Sequence, residues 1–241
     1  MLLTLARFEL KNLLRDKMTL VMIIYPLLLG GLGKYLINNN LVEGPALSIT
    51  AMLMAIVSGF AYGAMAGFSL LDDRDDQVFA SIQISPISLP FYIGFKVIFA
   101  YLLAVLSNFF LIWYMGTIPL SLGNMLLISV LSALQTPIMA FLINAFAHNK
   151  VEGFITMKAT GLLLLLPIGS FFFLDAKEWL FALAPGHWTA KAVQYILLEA
   201  QIDAGLISMN LNFYQYIFIG IAYNLLLVAV TFRIFRKNDN I

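Results

Sequence analysis

An acidic cluster between two apolar stretches carries the most obvious candidate chemistry of this chain. Asp72, Asp73 and Asp76 form a DDxxD pattern. Hard cations such as Mg²⁺ prefer several carboxylate oxygens as ligands, so a magnesium–diphosphate site is one hypothesis for this cluster. The alternative is a solvated acidic loop, because a single five-residue pattern is weak evidence and no second acidic cluster lies on another loop of the same side.

Other reactive side chains are scarce in the sequence. There are no cysteines and only two histidines, His148 and His187, which excludes disulfides, thiolate catalysis and most zinc sites. A GxxxxGK[ST] loop for nucleotide phosphates is also absent. The preferred interpretation therefore has no catalytic residue, no metal site and no cofactor bound by this chain.

The composition indicates an all-α integral membrane protein. Apolar residues make up 61% of the chain and charged residues only 11%, against about 25% charged residues in soluble domains. The net charge of +1 gives no basic surface for nucleic acid, so we expect membrane lipid and no nucleic acid as a partner.

The apolar runs predict one transmembrane domain, 1–241, with six spans. Each run is close to the length of about 20 residues that crosses a bilayer core, and the runs lie at 18–37, 48–71, 91–115, 119–146, 154–174 and 213–233. Placing both termini and the loops 72–90 and 147–153 on one side collects eleven basic residues there, with three on the other side. The positive-inside rule then predicts cytosolic termini and a long extracellular segment, 175–212.

The first 17 residues predict an amphipathic helix at the membrane surface. Leucines occupy one face of this segment, and its basic residues are Arg7, Lys11 and Arg15. Such a helix lies flat in the interface before the first span. Two functions stay open for it, a basic anchor that fixes the topology and a docking element for a partner.

Small residues and charges within the spans carry further predictions. Gly59, Gly63 and Gly67 repeat every four residues, which favours close packing of a neighbouring helix over a role in lining a substrate path. Lys96 and Lys158 lie near cytosolic ends, where lysine side chains can reach water. No acidic residue lies near mid-membrane, which disfavours transport driven by ions or protons.

The first cytosolic loop resembles that of ABC type-2 exporter permeases, the type V exporter fold. In those proteins an acidic turn with an arginine leads to a short coupling helix, a Ser-Pro-x-Ser step and a lysine at the start of the next span, as at 73–77, 85–88 and Lys96 here. By this resemblance the residues that contact an ATPase are Asp73, Arg74, Asp75, Asp76, Gln77, Val78, Phe79 and Ile82.

The resemblance implies a permease subunit of an ATP-driven exporter in the cytoplasmic membrane of a prokaryote. It would pair with a second permease, identical or homologous, and with two cytosolic ABC ATPase subunits that bind the ATP and magnesium. It also implies an N-terminal elbow helix at 1–17, a coupling helix within 73–84, and short extracellular re-entrant helices before the last span. The apolar spans fit a hydrophobic or amphipathic cargo such as a drug, an antimicrobial peptide or a lipid-linked molecule, with no substrate-binding residue assigned.

Two other functions stay open at this point. The DDxxD pattern is shared with aspartate-rich prenyltransferases, so Asp72 to Asp76 would serve a magnesium-dependent intramembrane prenyl or lipid transferase. A non-transporting immunity or scaffold protein would share the permease fold and its partner but would lack a transport pathway.

Overall fold

The computed structural model describes residue 11 and residues 17–238 of the chain. In this part of the chain the secondary structure is helical and contains no strands. The expected elbow helix at 1–17, with Arg7 and Arg15, lies outside the described residues, apart from Lys11, which is helical and exposed, and Lys17, which begins the first described helix.

The α-helices follow one another along the chain with short connections. They are α1 (Lys17–Asn38), α2 (Pro45–Asp75), α3 (Val78–Gln83), α4 (Leu89–Met115), α5 (Leu122–Ala133), α6 (Gln135–Phe146), α7 (Lys150–Gly161), α8 (Leu165–Ser170), α9 (Pro185–Asp203) and α10 (Phe213–Asn238). Short 3₁₀ segments occupy Leu162–Leu164 and Ala176–Phe181.

Five stretches of the described chain are long and apolar enough to cross a membrane. They are α2, α4, the pair α5–α6 taken together, the stretch from α7 to α8, and α10. Successive spans run in opposite directions, so the bundle has two ends. The acidic-loop end carries residues 72–88 and the C-terminus of α10, and the cap end carries residues 171–184 and α9.

Prolines explain why two of these stretches are interrupted. A proline inside a helix removes a backbone donor, and its ring clashes with the carbonyl four residues earlier. Pro137 acts on the end of α5, which breaks from α6 at Leu134. Pro167 acts in the same way on Leu163, where the helix narrows to a 3₁₀ segment.

The long helix α2 is the centre of the bundle, and its glycines lie against α5 and α6. A Cβ atom added at Gly59 would lie 2.4 Å from the backbone oxygen of Ser132, and one added at Gly63 would lie 2.6 Å from Cβ of Met139. At Gly67 the nearest neighbour is Ile143. Side chains larger than hydrogen would therefore force the two backbones apart along this contact.

Hydrogen bonds fix the register of the same contact. Thr136 donates from Oγ1 to the carbonyl oxygen of Gly59 at 3.1 Å, and Asn144 donates from Nδ2 to that of Gly67 at 2.9 Å. Buried polar side chains that find a backbone acceptor in this way avoid the desolvation penalty of an apolar interior. The α2–α6 pair is thus held by both close packing and polar contacts.

Candidate functional site

The end of α2 at the acidic loop is tied to α4 by a buried ion pair. Lys96 is 3% exposed, and its Nζ lies 2.5 Å from Oδ2 of Asp73. The hydroxyl of Tyr92 donates to the same carboxylate oxygen at 3.0 Å. Lys96 was expected to reach water, but the structure buries it, because Asp73 supplies the compensating charge that a buried ammonium needs.

Arg74 ties the same end of α2 to α6. Its Nη1 donates to the carbonyl oxygen of Ala147 at 3.0 Å, and its Nη2 donates to that of Asn144 at 3.4 Å. The last carbonyls of a helix have no partner within the helix and carry partial negative charge, so a guanidinium group is well suited to this position. Asn238 of α10 adds a hydrogen bond to Ala145 in the same turn at 2.8 Å.

Asp72, the first residue of the DDxxD pattern, faces the start of α7. Its Oδ1 lies 2.8 Å from Nζ of Lys150, and both side chains are at least one-third exposed. Asp72 and Asp73 thus each pair with a lysine from a different helix. Within the described residues no group of three or more acidic, histidine or cysteine side chains is arranged to hold a metal ion. The geometry favours a structural role for these two carboxylates over a shared cation.

The short helix α3 projects from this anchored end. Gln77 adopts a left-handed backbone conformation, with φ of 56°, which turns the chain between α2 and α3. Phe79 and Ile82 are half-buried and pack against the core of the bundle. Asp75 and Asp76 are exposed. The helix therefore has one face on the bundle and one face available to another protein.

The outer face of α3 continues into an exposed apolar side chain. Ile84 is 91% exposed, directly after the helix ends and before the Ser85–Ser88 turn. In that turn the hydroxyl of Ser85 accepts the backbone N–H of Ile87 at 3.2 Å. Of the remaining residues that the sequence assigned to ATPase contacts, Val78 lies half-buried at the first position of α3.

A second polar cluster lies at the cap end and was missed by sequence reasoning. Nζ of Lys191 in α9 lies 2.6 Å from Oε2 of Glu178, and it donates to the carbonyl oxygen of Phe173 and to Oε1 of Gln194, both at 2.7 Å. The hydroxyl of Tyr216 donates to Oε1 of Glu178 at 2.7 Å. Burial lowers the pKa of Lys191, while Glu178 opposes that shift.

His187 lies one turn before Lys191 on the same face of α9. Its Nδ1 is 2.8 Å from the hydroxyl oxygen of Ser170, in a hydrogen bond that joins α9 to α8. Burial, helped by the positive charge of Lys191, lowers the pKa of His187 to about 3. The imidazole is therefore neutral at physiological pH. The spacing of His187, Lys191 and Gln194 at i, i+4 and i+7 is the sequence signal that would have predicted one polar face on this helix.

Comparison with known proteins places the chain in a family. The family described as "Fluoroquinolones export permease protein Rv2686c-like" matches residues 9–232. Two relatives are the fluoroquinolones export permease proteins Rv2686c and MT2760 of Mycobacterium tuberculosis strains H37Rv and CDC 1551. Each is 28% identical over 195 residues, which cover 79% of this chain and 71% of the relative. No solved structure matches the chain.

The family match covers nearly the whole described chain, including the acidic loop with its coupling-helix pattern and the cap end. It confirms the resemblance to ABC type-2 permeases that the loop at residues 73–88 indicated. The chain therefore belongs to the Rv2686c-like family of fluoroquinolone export permeases, a family of ABC-2-type permeases.

Proposed function

We propose that this chain is the membrane subunit of an ATP-driven exporter that moves a hydrophobic or amphipathic drug out of the cell. The observation that carries the proposal is the anchored end of α2. There Asp73 and Arg74 fix the helix to α4 and α6, while the adjoining α3 keeps one face exposed. Because α3 is attached to a firmly held helix end, a partner protein that pushes on α3 would also move the helices of the bundle. The relatives are named for fluoroquinolone export, and a cargo of that class is part of the proposal.

The proposed topology has six spans, with α1 as the first of them and both termini in the cytosol of a prokaryote. The acidic-loop end then faces the cytosol and the cap end faces outward, which agrees with the distribution of basic residues. In this proposal residues 1–17 serve as the elbow helix. The 3₁₀ segment Ala176–Phe181 and α9 are the short re-entrant helices.

Contacts of α9 support the re-entrant assignment. A Cβ atom added at Gly186 would lie 3.3 Å from Oε1 of Gln135, and Nδ2 of Asn224 donates to the carbonyl oxygen of Pro185 at 3.2 Å. Gln135 and Asn224 both lie near the middle of their spans. The first turn of α9 thus reaches into the bundle, whereas its last turn is exposed.

The proposed assembly contains a second permease, identical or homologous, and two ABC ATPase subunits that bind the ATP and magnesium. Closure of the ATPases would press on α3, and the anchored end of α2 would pass the displacement to α4 and α6. The ATPase can shift the equilibrium between two states of the bundle only if it binds one of them more tightly than the other. The exposed residues that would make those contacts are Asp75, Asp76, Gln77 and Ile84.

Association with an ATPase tests the proposal directly. The tagged chain is purified from its native host in mild detergent, and co-purified ABC ATPase is quantified by mass spectrometry. We expect Asp76→Lys to reduce the recovered ATPase at least tenfold, because the side chain is exposed on the proposed docking face. The matched control is Asp175→Lys, which reverses an exposed charge at the cap end. Recovery of no ATPase with the wild-type chain would refute the proposal.

Transport separates an exporter from the two other hypotheses. Inside-out vesicles containing the chain and its ATPase should accumulate norfloxacin only when ATP is present. A scaffold or immunity protein would bind the ATPase without accumulation of the drug. A transferase would show magnesium-dependent turnover without any ATPase, an outcome that the lysine partners of Asp72 and Asp73 disfavour.

A further inference from the structure

An apolar groove runs along the bundle between α4 and α10, with α6 as its floor. Its volume is about 400 Å³. The residues that line it come from all three helices and include Gly94, Tyr101, Pro137, Phe141, Leu225 and Phe232. The phenol of Tyr101 is the polar group among these, and it already donates to the carbonyl oxygen of Val130 at 3.4 Å. The groove therefore offers an occupant shape and apolar contact but little hydrogen bonding.

The apolar residues of α10 that line the groove are followed along the helix by basic residues. Leu225, Ala229 and Phe232 line the groove, and Arg236 follows four residues after Phe232, on the same face of the helix. Arg233 and Lys237 lie beside it, and all three basic side chains are exposed. The described helix α10 contains no acidic residue. A basic cluster, defined here as Arg233, Arg236 and Lys237, thus follows the groove-lining residues along α10, with Arg236 on the same face of the helix as those residues.

This combination matches the two parts of an anionic phospholipid. Hydrocarbon in a bilayer is already in an apolar solvent, so an acyl chain gains no hydrophobic free energy by entering the groove, and the groove alone selects only for shape. Selection must come from the headgroup. Basic side chains next to the end of a membrane helix attract anionic headgroups, with a gain of about fivefold in affinity per basic side chain, which corresponds to about 1 kcal/mol.

We propose that the groove between α4 and α10 is a binding site for an anionic phospholipid. One acyl chain lies along Gly94, Phe141 and Phe232, and the phosphate lies at the basic cluster. A zwitterionic drug fits the groove less well, because its charged groups would find no hydrogen-bond partners along the lining. A second copy of the chain has a larger surface available on α7 and α8, of which little is buried. The site stands independently of the proposed ATPase partner.

Lipid selectivity of the purified full-length chain tests the role of the basic cluster. Native mass spectrometry measures the retention of dioleoyl phosphatidylglycerol and of dioleoyl phosphatidylcholine, which have the same acyl chains. We expect the wild-type chain to bind phosphatidylglycerol on the order of ten to 100 times more tightly. Arg233→Gln with Arg236→Gln should reduce this preference to about fivefold or less. Lys177→Gln, which removes an exposed charge at the cap end, should leave it unchanged.

A groove-filling variant tests the role of the cavity itself. A Cβ atom at Gly94 meets nothing within 4 Å, and Gly94 lines the groove, so Gly94→Leu fills part of the groove with a side chain. It should lower the retention of both lipids while keeping the ratio between them. Gly31→Leu is the matched control, because its Cβ also meets nothing within 4 Å and lies on α1, away from the groove. Gel filtration and thermal unfolding of each variant confirm that it is folded.

Three results would overturn the proposal. The first is equal binding of the two lipids by the wild-type chain, and the second is equal lipid retention by the Gly94→Leu and Gly31→Leu variants. The third is a Gly94→Leu variant that no longer forms a dimer of this chain but retains as much lipid as the wild-type chain. If the wild-type chain binds both lipids equally and norfloxacin also displaces phosphatidylglycerol from it, the groove is a site for the cargo and the lipid proposal is wrong.

Discussion

Neutralising Glu178 should destabilise the cap end strongly, although the change is nearly isosteric. Glu178 and Lys191 are both 0% exposed, and their charged atoms lie 2.6 Å apart. The ammonium of Lys191 is paired with the carboxylate of Glu178 and donates hydrogen bonds to the carbonyl oxygen of Phe173 and to Oε1 of Gln194. Glu178→Gln keeps the shape of the side chain but leaves the ammonium buried without an opposing charge.

The expected loss follows from the burial of the pair. Breaking a buried ion pair by removing one partner costs about 3–5 kcal/mol, which corresponds to a thermal midpoint lower by about 6–20 °C for a chain of this size. Thermal unfolding of the detergent-purified chain, followed by gel filtration with fluorescence detection, measures this shift. Asp175→Asn is the control, because its pair with Lys177 is exposed and should contribute within about 1 kcal/mol.

A double variant separates charge from shape in the same experiment. Replacing both members, with Glu178→Gln and Lys191→Met, removes the two charges together and should recover more than half of the lost stability, since apolar replacements of a buried pair are often close to neutral. The reasoning is refuted if Glu178→Gln shifts the midpoint by less than about 2 °C. It is also refuted if the double variant is no more stable than the single one.

Three further predictions follow from the packing and the buried charges, and all are measured by thermal unfolding. Gly59→Ala should lower stability by about 1–3 kcal/mol, because its Cβ would meet the backbone oxygen of Ser132 at 2.4 Å; an unchanged midpoint would contradict the close contact. The pKa of His187 is lowered from 6.5 to about 3, so between these pH values the unfolded chain binds a proton that the folded chain does not. Stability should therefore fall as the pH drops from 6.5 towards 3, by up to on the order of 5 kcal/mol from this group, and a His187→Gln chain with the same slope as wild type would contradict this. Lys96→Met should leave the carboxylate of Asp73 without its counter-charge and destabilise the acidic-loop end by about 2–4 kcal/mol, with recovery on adding Asp73→Asn; an additive effect of the two changes would show that they do not interact.

The helical bundle and the acidic loop could be predicted from the sequence because they depend on local patterns. Long apolar runs indicate spans whatever their neighbours are. The proline at position 137 indicates an interruption, and the proline at position 86 indicates the end of the short helix α3. Each of these signals lies within a few residues of the feature that it predicts.

The polar cluster at the cap end could not be predicted in the same way, because its members are distant in sequence. Glu178, Lys191 and Tyr216 come from a 3₁₀ segment and two helices, and no spacing rule connects them. The sequence predicts only a long extracellular segment at 175–212, and short re-entrant helices within it are implied by the resemblance alone. The structure buries Trp188, whose Cβ lies 2.6 Å from the position of a Cβ at Gly220. That close approach needs a glycine on the facing helix, and only the complete fold brings Gly220 next to Trp188.

The interruption at Leu134 divides a single membrane crossing into two helical halves. Helices α5 and α6 each have 12 residues, or about 18 Å of length at 1.5 Å per residue. α5 packs mainly on α4, whereas α6 packs mainly on α2 and α10. Because α2 also packs extensively on α4 and is tied to it by the ion pair of Asp73 and Lys96, a displacement at the acidic loop reaches α6 directly and α5 through α4. Leu134 is the joint between the two halves, and spin labels placed on α5 and α6 measure the angle between them.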